Sequence, residues 1–220
     1  MMARDYRVRI LSREDIAKIA IAWWSLARSG QHSFNICKFV LNVLPDYIKG
    51  KGKLVVEFYD QSLGDSQAYV TFGPLTLHVD RKIWNAADRG EPYARYIIAH
   101  EVGHLVLHDR HAVAFSEEEA ALLNYVQNEE SAEWQAHVFA ALFLVPDHIA
   151  LKLNDADLIA GLCVVTDRLA ASCLDDAKNA KLIATPRYEG EMCSGCGNFT
   201  LLRDGIGMKC DTCGSKTGYS

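Results

Sequence analysis

YARYIIAHEVGHLVLH, from Tyr93 to His108, decides how this chain is read. Tyr96, Ile97, His100, His104 and Leu107 recur in it at three- and four-residue intervals, so the segment from Glu91 to about His108 is expected to be a helix. Residues four apart share a helix face, so the imidazoles of His100 and His104 can reach one cation while Glu101 stands beside them. Written as HExxH, this is the signature of a zinc hydrolase. Zinc lowers the pKa of water from about 15.7 to ~7 and polarises a carbonyl, and the neighbouring carboxylate carries the proton. A pattern with so few fixed positions arises by chance, and its weight comes from context.

The context needed is a third ligand, because a catalytic zinc takes three protein donors and keeps one position open. Arg110 stands where a metzincin would carry its third histidine, which excludes that solution. A glutamate on a following helix is the other common answer, and helical periodicity resumes by Glu130 and runs through Trp134 and Phe139 to Pro146. Glu129, Glu130 and Glu133 are all candidates on spacing. Ala132, Ala136, Phe139, Ala140 and Phe143 form the apolar stripe, and Glu133 on its rim best suits a group aimed at a partly buried metal.

Outward from this centre, Ser12 with Asp15 makes a capping pattern ahead of Ile16, Ile19, Ala20 and Trp23, predicting a first helix. Phe34 to Leu44 reads as a second helix stopped by Pro45, with a turn at Lys51-Gly52. Leu54–Tyr59, Ala68–Phe72 and Leu75–Val79 read as strands, the last two divided by Gly73-Pro74. A polar stretch from Arg110 to Glu119 interrupts the pattern. Helices are also expected over Asn154–Cys163 and Asp167–Asn179, the second capped by Thr166.

Three segments carry a family resemblance: FGPLTLHVD at Phe72 to Asp80, YARYIIAHEVGHLVLH at Tyr93 to His108, and EWQAHVFAALFLVP at Glu133 to Pro146. In this order they resemble the ImmA/IrrE metallopeptidases over roughly the first 180 residues. The resemblance implies an α+β fold, a mostly helical gluzincin-like metallopeptidase domain with a small β-sheet. It also implies that the glutamate of E-x-x-A-x-x-F-A, here Glu133, is the third zinc ligand. It further implies site-specific cleavage of a helix-turn-helix repressor in response to DNA damage or phage-related signals, derepressing mobile-element or defence genes, with single-stranded DNA as a candidate activator. The first 50 residues do not show two short helices around a glycine turn, so the repressor is expected to be a separate chain.

After Lys181 the texture changes, and the boundary is set near Thr185: residues 1–185 for the peptidase-like domain and 186–220 for a second module. That module holds Cys193 and Cys196, thirteen intervening residues, then Cys210 and Cys213, with Gly197 and Gly214 following the pairs. Two such knuckles supply a closed tetrahedral thiolate set, so a zinc ribbon with a structural Zn²⁺ is expected, beside the catalytic Zn²⁺. Redox-active CxxC pairs are the weaker reading. Arg187, Arg203, Lys209 and Lys216 with Tyr188, Phe199 and Tyr219 could meet nucleic acid, but Glu189, Glu191, Asp204 and Asp211 make the mixture look like an ordinary solvated or protein-binding surface.

The remaining candidates have bland readings beside the sharp ones. His108 suits a supporting or packing role rather than a ligand, while His111, His137, Tyr93, Tyr96 and Tyr125 are all candidates for oxyanion stabilisation. His32, His78 and His148 read as ordinary residues. Cys37, Cys163 and Cys173 read as buried hydrophobes, with Cys37 also weighed as an inhibitory thiol occupying the zinc's open position. Half of the 220 residues are hydrophobic and the net charge is −5, which fits a globular chain without a general attraction for nucleic acid. No secretory signal or membrane-length apolar run is visible, and the chain is expected to be cytoplasmic with no membrane partner. The rival to a peptidase is a latent or inactive peptidase fold that binds DNA or a repressor as a regulatory module. A zinc deaminase is disfavoured because no proline precedes either CxxC.

Overall fold

The computed structural model describes residues 6–27, 32–60, 66–109, 113–114, 128–180, 189–205 and 207–218. The chain is α+β, with helices packed around an apolar interior and small sheets at their margins. Helix α1 (Arg13–Ala27) opens with the expected reciprocal cap: Ser12 Oγ donates to Asp15 Oδ2 at 2.7 Å, and the Asp15 amide donates to Ser12 Oγ at 3.1 Å. Its Ile16, Ile19, Ala20, Trp23 and Trp24 are all buried, so α1 is an interior helix packed along the helix that carries Glu133. The second predicted helix is shorter than its sequence suggested. Asn35 caps α2 (Ile36–Asn42) through the Lys38 amide at 2.9 Å, and Pro45 lies in the first turn of α3 (Leu44–Tyr47), where a missing N–H costs nothing.

A three-stranded sheet follows, ordered β2 (Val55–Tyr59), β4 (Leu75–Asp80), β3 (Ala68–Phe72). β4 is central, parallel to β2 and antiparallel to β3, and its Leu77 and Val79 are fully buried. Strand β4 ends at Asp80, whose carboxylate accepts from the Lys82 and Ile83 amides and starts α4 (Arg81–Asp88), a helix the sequence reading missed. Glu91 then caps α5 (Pro92–Leu107) through the Ala94 amide at 2.7 Å. The expected HExxH helix therefore exists, with its start one residue later and its end one earlier.

Helices α6 (Ala132–Leu144), α7 (Asp147–Leu153), α8 (Ala156–Cys163) and α9 (Asp167–Asn179) complete this part. α7 was not anticipated. Pro146 ends α6 and serves as the N-cap of α7, and Arg13 grips Asp147 with two hydrogen bonds of 2.8 and 2.7 Å. Near the N-terminus, β1 (Tyr6–Arg7) pairs antiparallel with β5 (Val113–Ala114), also unforeseen. Among the described residues no single helix is long and apolar enough to cross a membrane.

The C-terminal module is an antiparallel sheet of β6 (Leu201–Asp204), β7 (Gly207–Cys210) and β8 (Lys216–Thr217). The boundary near Thr185 lies outside the described residues, as do Arg187, Tyr188 and Tyr219. The module is joined to the helical part by Phe199, whose ring lies 5.3 Å from that of Trp23 and 4.6 Å from that of Tyr47, both edge-on. Phe199 is 4 % exposed, so the sequence-based idea that it stacks on nucleic-acid bases is wrong. The reason is packing: an aromatic ring of this size contributes about 1.5–3 kcal/mol by leaving water. Arg203 faces Glu189 at 3.4 Å and Lys216 faces Asp204 at 3.4 Å, which locally neutralises two of the four ribbon cations.

Candidate metal centre and catalytic cavity

Helix α5 puts His100 and His104 one turn apart, and α6 crosses it with Glu133 in its first turn. Ser131 caps α6 through the Trp134 amide at 3.0 Å, so the Glu133 carboxylate also sits at the positive end of a helix. The close crossing depends on Gly103, opposite the Ala136 backbone. The His100 and His104 Nε2 atoms are 3.1 Å apart, and they stand 3.2 and 3.3 Å from the two Glu133 oxygens. Donors held about 2.0–2.1 Å from a tetrahedral zinc would be separated by about 3.3 Å, so these three fit a single ion. Burial would raise the Glu133 carboxyl, but the hydrogen bonds of His100 and His104 outweigh it and hold it far below the usual range.

Glu101 points to the same region and is 7 % exposed. Burial raises its pKa, against the nearby His104 and His100, with Glu133 adding to the rise. His100 and Glu101 line a cavity of about 220 Å³ together with Ser66, Gln67, Ala68, Tyr93, Tyr96, Ile97 and His137. A larger cleft of about 1040 Å³ lies between the first cysteine knuckle and the Arg7–Leu11 and Ile48–Gly52 segments, and the donor trio does not line it. Of the two spaces, the smaller is the one lined by His100 and Glu101.

The His104 ring is braced from behind. Its Nδ1 is 3.0 Å from His108 Nδ1, His108 Nε2 is 3.1 Å from Gln135 Oε1, and the Gln135 amide donates to the Arg9 and Glu129 carbonyls at 2.7 Å each. One proton assignment satisfies the whole row: His104 donates to His108, and neutral His108 donates to Gln135. Burial and the His104 charge hold His108 down to about 3, in keeping with the neutral form. His108 is thus the supporting residue the sequence suggested. Gln135 was missed, because nothing local marks a glutamine as a partner for a histidine 27 positions away. By contrast, His100 Nδ1 has no hydrogen-bond partner among the described residues.

Lys51 was missed too. Its Nζ donates to the carbonyls of Leu105, Val106 and His108 at 3.0, 2.7 and 2.7 Å, closing the C-terminal end of α5. Of the oxyanion candidates, Tyr93, Tyr96 and His137 line the cavity, while His111 and Tyr125 lie outside the described residues. Cys37 is the clear correction. It is 2 % exposed, its thiol donates to the Trp84 carbonyl at 3.6 Å, and burial pushes its pKa up to about 12. A thiol buried in the core and held protonated is not an inhibitory metal ligand.

In the C-terminal module the Cys193–Cys213 and Cys196–Cys210 sulfurs are each 3.6 Å apart, and the four cysteines converge on one point. Disulfide bonding is excluded at that spacing, whereas thiolates about 2.3 Å from a tetrahedral zinc would lie about 3.8 Å apart. The four cysteines could hold a metal ion, as could a group formed by His100, Glu133 and His137.

No protein-family model matches the chain. Over 33 residues, 15% of its length, it is 79% identical to the vitamin B12-dependent ribonucleotide reductase of Bradyrhizobium diazoefficiens. Over a stretch of the same size it is 58% identical to the vitamin B12-dependent ribonucleotide reductase of Agrobacterium fabrum. The chain spans 3% of the length of these relatives. A match that short can cover one small module, and it does not bear on the chemistry of the His/Glu centre.

Proposed function

We propose that this chain is a zinc-dependent endopeptidase of the ImmA/IrrE kind, gluzincin-like in its donor set, and that its substrate is a partner helix-turn-helix repressor. The observation that carries the reading is the juxtaposition of Glu101 with His100 on one cavity, while His104 and Glu133 complete the donor set within 3.1–3.3 Å. A zinc ion held by His100, His104 and Glu133 would polarise the scissile carbonyl and acidify a water molecule. Glu101 takes the proton from the attacking water and delivers it to the departing amine, roles suited to a buried carboxyl whose pKa desolvation raises, against the nearby His104 and His100. β3 lies at the edge of its sheet, and Ala68 at its start lines the cavity, so an extended substrate segment can lie along that edge. The four ribbon cysteines are read as a structural zinc site.

The repressor, the DNA-damage or phage-related trigger and single-stranded DNA as an activator rest on the family resemblance alone. The test is incubation of the zinc-loaded protein and its Glu101→Gln variant with candidate helix-turn-helix repressors from the same genome, with and without single-stranded DNA. Cleavage by the parent only is expected; equal cleavage by both, or none by either, removes the reading.

A further inference from the structure

The cavity beside Glu101 has an opposite wall with a use of its own. His137, one helical turn after Glu133 on α6, has a ligand-capable atom within 4.8 Å of those of both His100 and Glu133. Its ring centroid is 4.4 Å from that of His100. Tyr96, one turn before His100 on α5, places its hydroxyl 2.8 Å from His137 Nδ1, with the two rings nearly parallel at 8°. His137 and Tyr96 both line the cavity that Glu101 lines.

Two roles are open to an imidazole there, and the tautomer separates them. A fourth metal ligand needs a bare nitrogen towards the donors, whereas a hydrogen-bond donor to developing negative charge needs N–H. The Tyr96 phenol stays protonated, since burial raises its pKa, and its O–H is placed to donate to His137 Nδ1, 2.8 Å away, when that nitrogen is bare. With Nδ1 accepting, the ring proton resides on Nε2, the nitrogen turned away from Tyr96. This is the donor tautomer.

We propose that His137 is a catalytic residue that donates Nε2–H to the substrate carbonyl oxygen as it becomes an oxyanion, and that Tyr96 is the positioning residue that fixes the required tautomer. The proposal deepens the peptidase reading and rests on it. The bonds balance without a further reactant: water adds to the carbonyl carbon, its proton goes to Glu101, and the oxyanion accepts a hydrogen bond without taking the His137 proton. Collapse re-forms the carbonyl, breaks the carbon–nitrogen bond, and the amine takes the proton from Glu101.

The experiment measures binding of N-phosphoryl-leucine amide, a tetrahedral oxyanion, to the zinc-loaded full chain by calorimetry, and zinc affinity by chelator competition. His137→Ala is expected to weaken the probe about 10²-fold, on the scale of losing one oxyanion donor, with zinc affinity unchanged. His137→Gln, which keeps an N–H donor, recovers part of the loss. Tyr96→Phe weakens the probe by less, and nitrogen NMR of the His137 side chain changes from one tautomer to a mixture. Equal probe binding by the parent and His137→Ala overturns the proposal while leaving the peptidase reading intact. A tenfold or larger fall in zinc affinity in His137→Ala overturns it in favour of a fourth ligand. A parent that binds zinc but not the probe overturns the peptidase reading and this proposal with it.

Discussion

A methyl group added at Gly103 would stand 3.1 Å from the Ala136 Cα and 3.1 Å from the Ala136 carbonyl oxygen. Both are backbone atoms, so α6 itself must move by a few tenths of an ångström to admit it. Glu133 rides on α6 three residues earlier and would be drawn from the His100–His104 pair. Gly103→Ala is therefore expected to lower zinc affinity about tenfold, with a stability loss of about 1–3 kcal/mol. Chelator competition and urea denaturation measure the two; unchanged zinc affinity would mean that the helix spacing does not set the donor geometry.

The row from His104 through His108 to Gln135 makes a second prediction. For His104 to present a bare Nε2 to a metal, its Nδ1–H needs an acceptor, and His108 can accept only while Gln135 takes the proton on its other side. His108→Leu and Gln135→Leu should each reduce zinc affinity about 10–100-fold. The double variant should lose little more than either one alone, since the residues act as one unit. Additive losses in the chelator titration would contradict a connected row.

Much of this centre was legible in the sequence and some was not, for identifiable reasons. HExxH fixes its own geometry because a helix places residues four apart on one face, and Glu133 could be ranked above Glu129 and Glu130 by its position on the rim of an apolar stripe. The Ser12–Asp15 cap was readable for the same reason: its partners are local. Lys51 and Gln135 act across 54 to 57 and 27 positions respectively, distances at which periodicity carries no information. α4 and α7 were lost because each is short and begins directly at the end of another element, at Asp80 and Pro146. Cys37 misled because its place in the sequence does not show which way the thiol faces, and its helix turns it to the Trp84 carbonyl.

Lys51 should register in the pH dependence of stability. Desolvation pushes its pKa down to about 8, with the Asp109 charge opposing, while an unfolded lysine titrates near ~10.4. Between these values the unfolded chain binds more protons than the folded one, so stability should rise with pH across that window and be indifferent to this group below it. Lys51→Met removes the titration and strands the Leu105, Val106 and His108 carbonyls. Urea midpoints from pH 7 to pH 10 should show the parent gaining relative to the variant above pH 8; a constant gap would mean that Lys51 keeps an ordinary pKa.

The ribbon gives the last prediction. A sheet of three short strands with Cys193, Leu201 and Cys210 as its buried centre has too little apolar surface to fold by itself, so its structure depends on the metal its cysteines would hold. Phe199 nevertheless belongs to the main core, between Trp23 and Tyr47, and Lys18 reaches Asp211 at 3.5 Å. Loss of the ribbon metal should therefore be felt in α1. Cys196→Ser is expected to lower the thermal midpoint of the whole chain and to alter tryptophan emission, because Trp23 loses its cover. Phe199→Ala should reproduce the stability loss, about 3–5 kcal/mol for a buried phenylalanine, while keeping the ribbon's metal. If Cys196→Ser leaves the tryptophan signal and midpoint unchanged, the ribbon is a separate unit and the Phe199 contact does not couple it to the helical core.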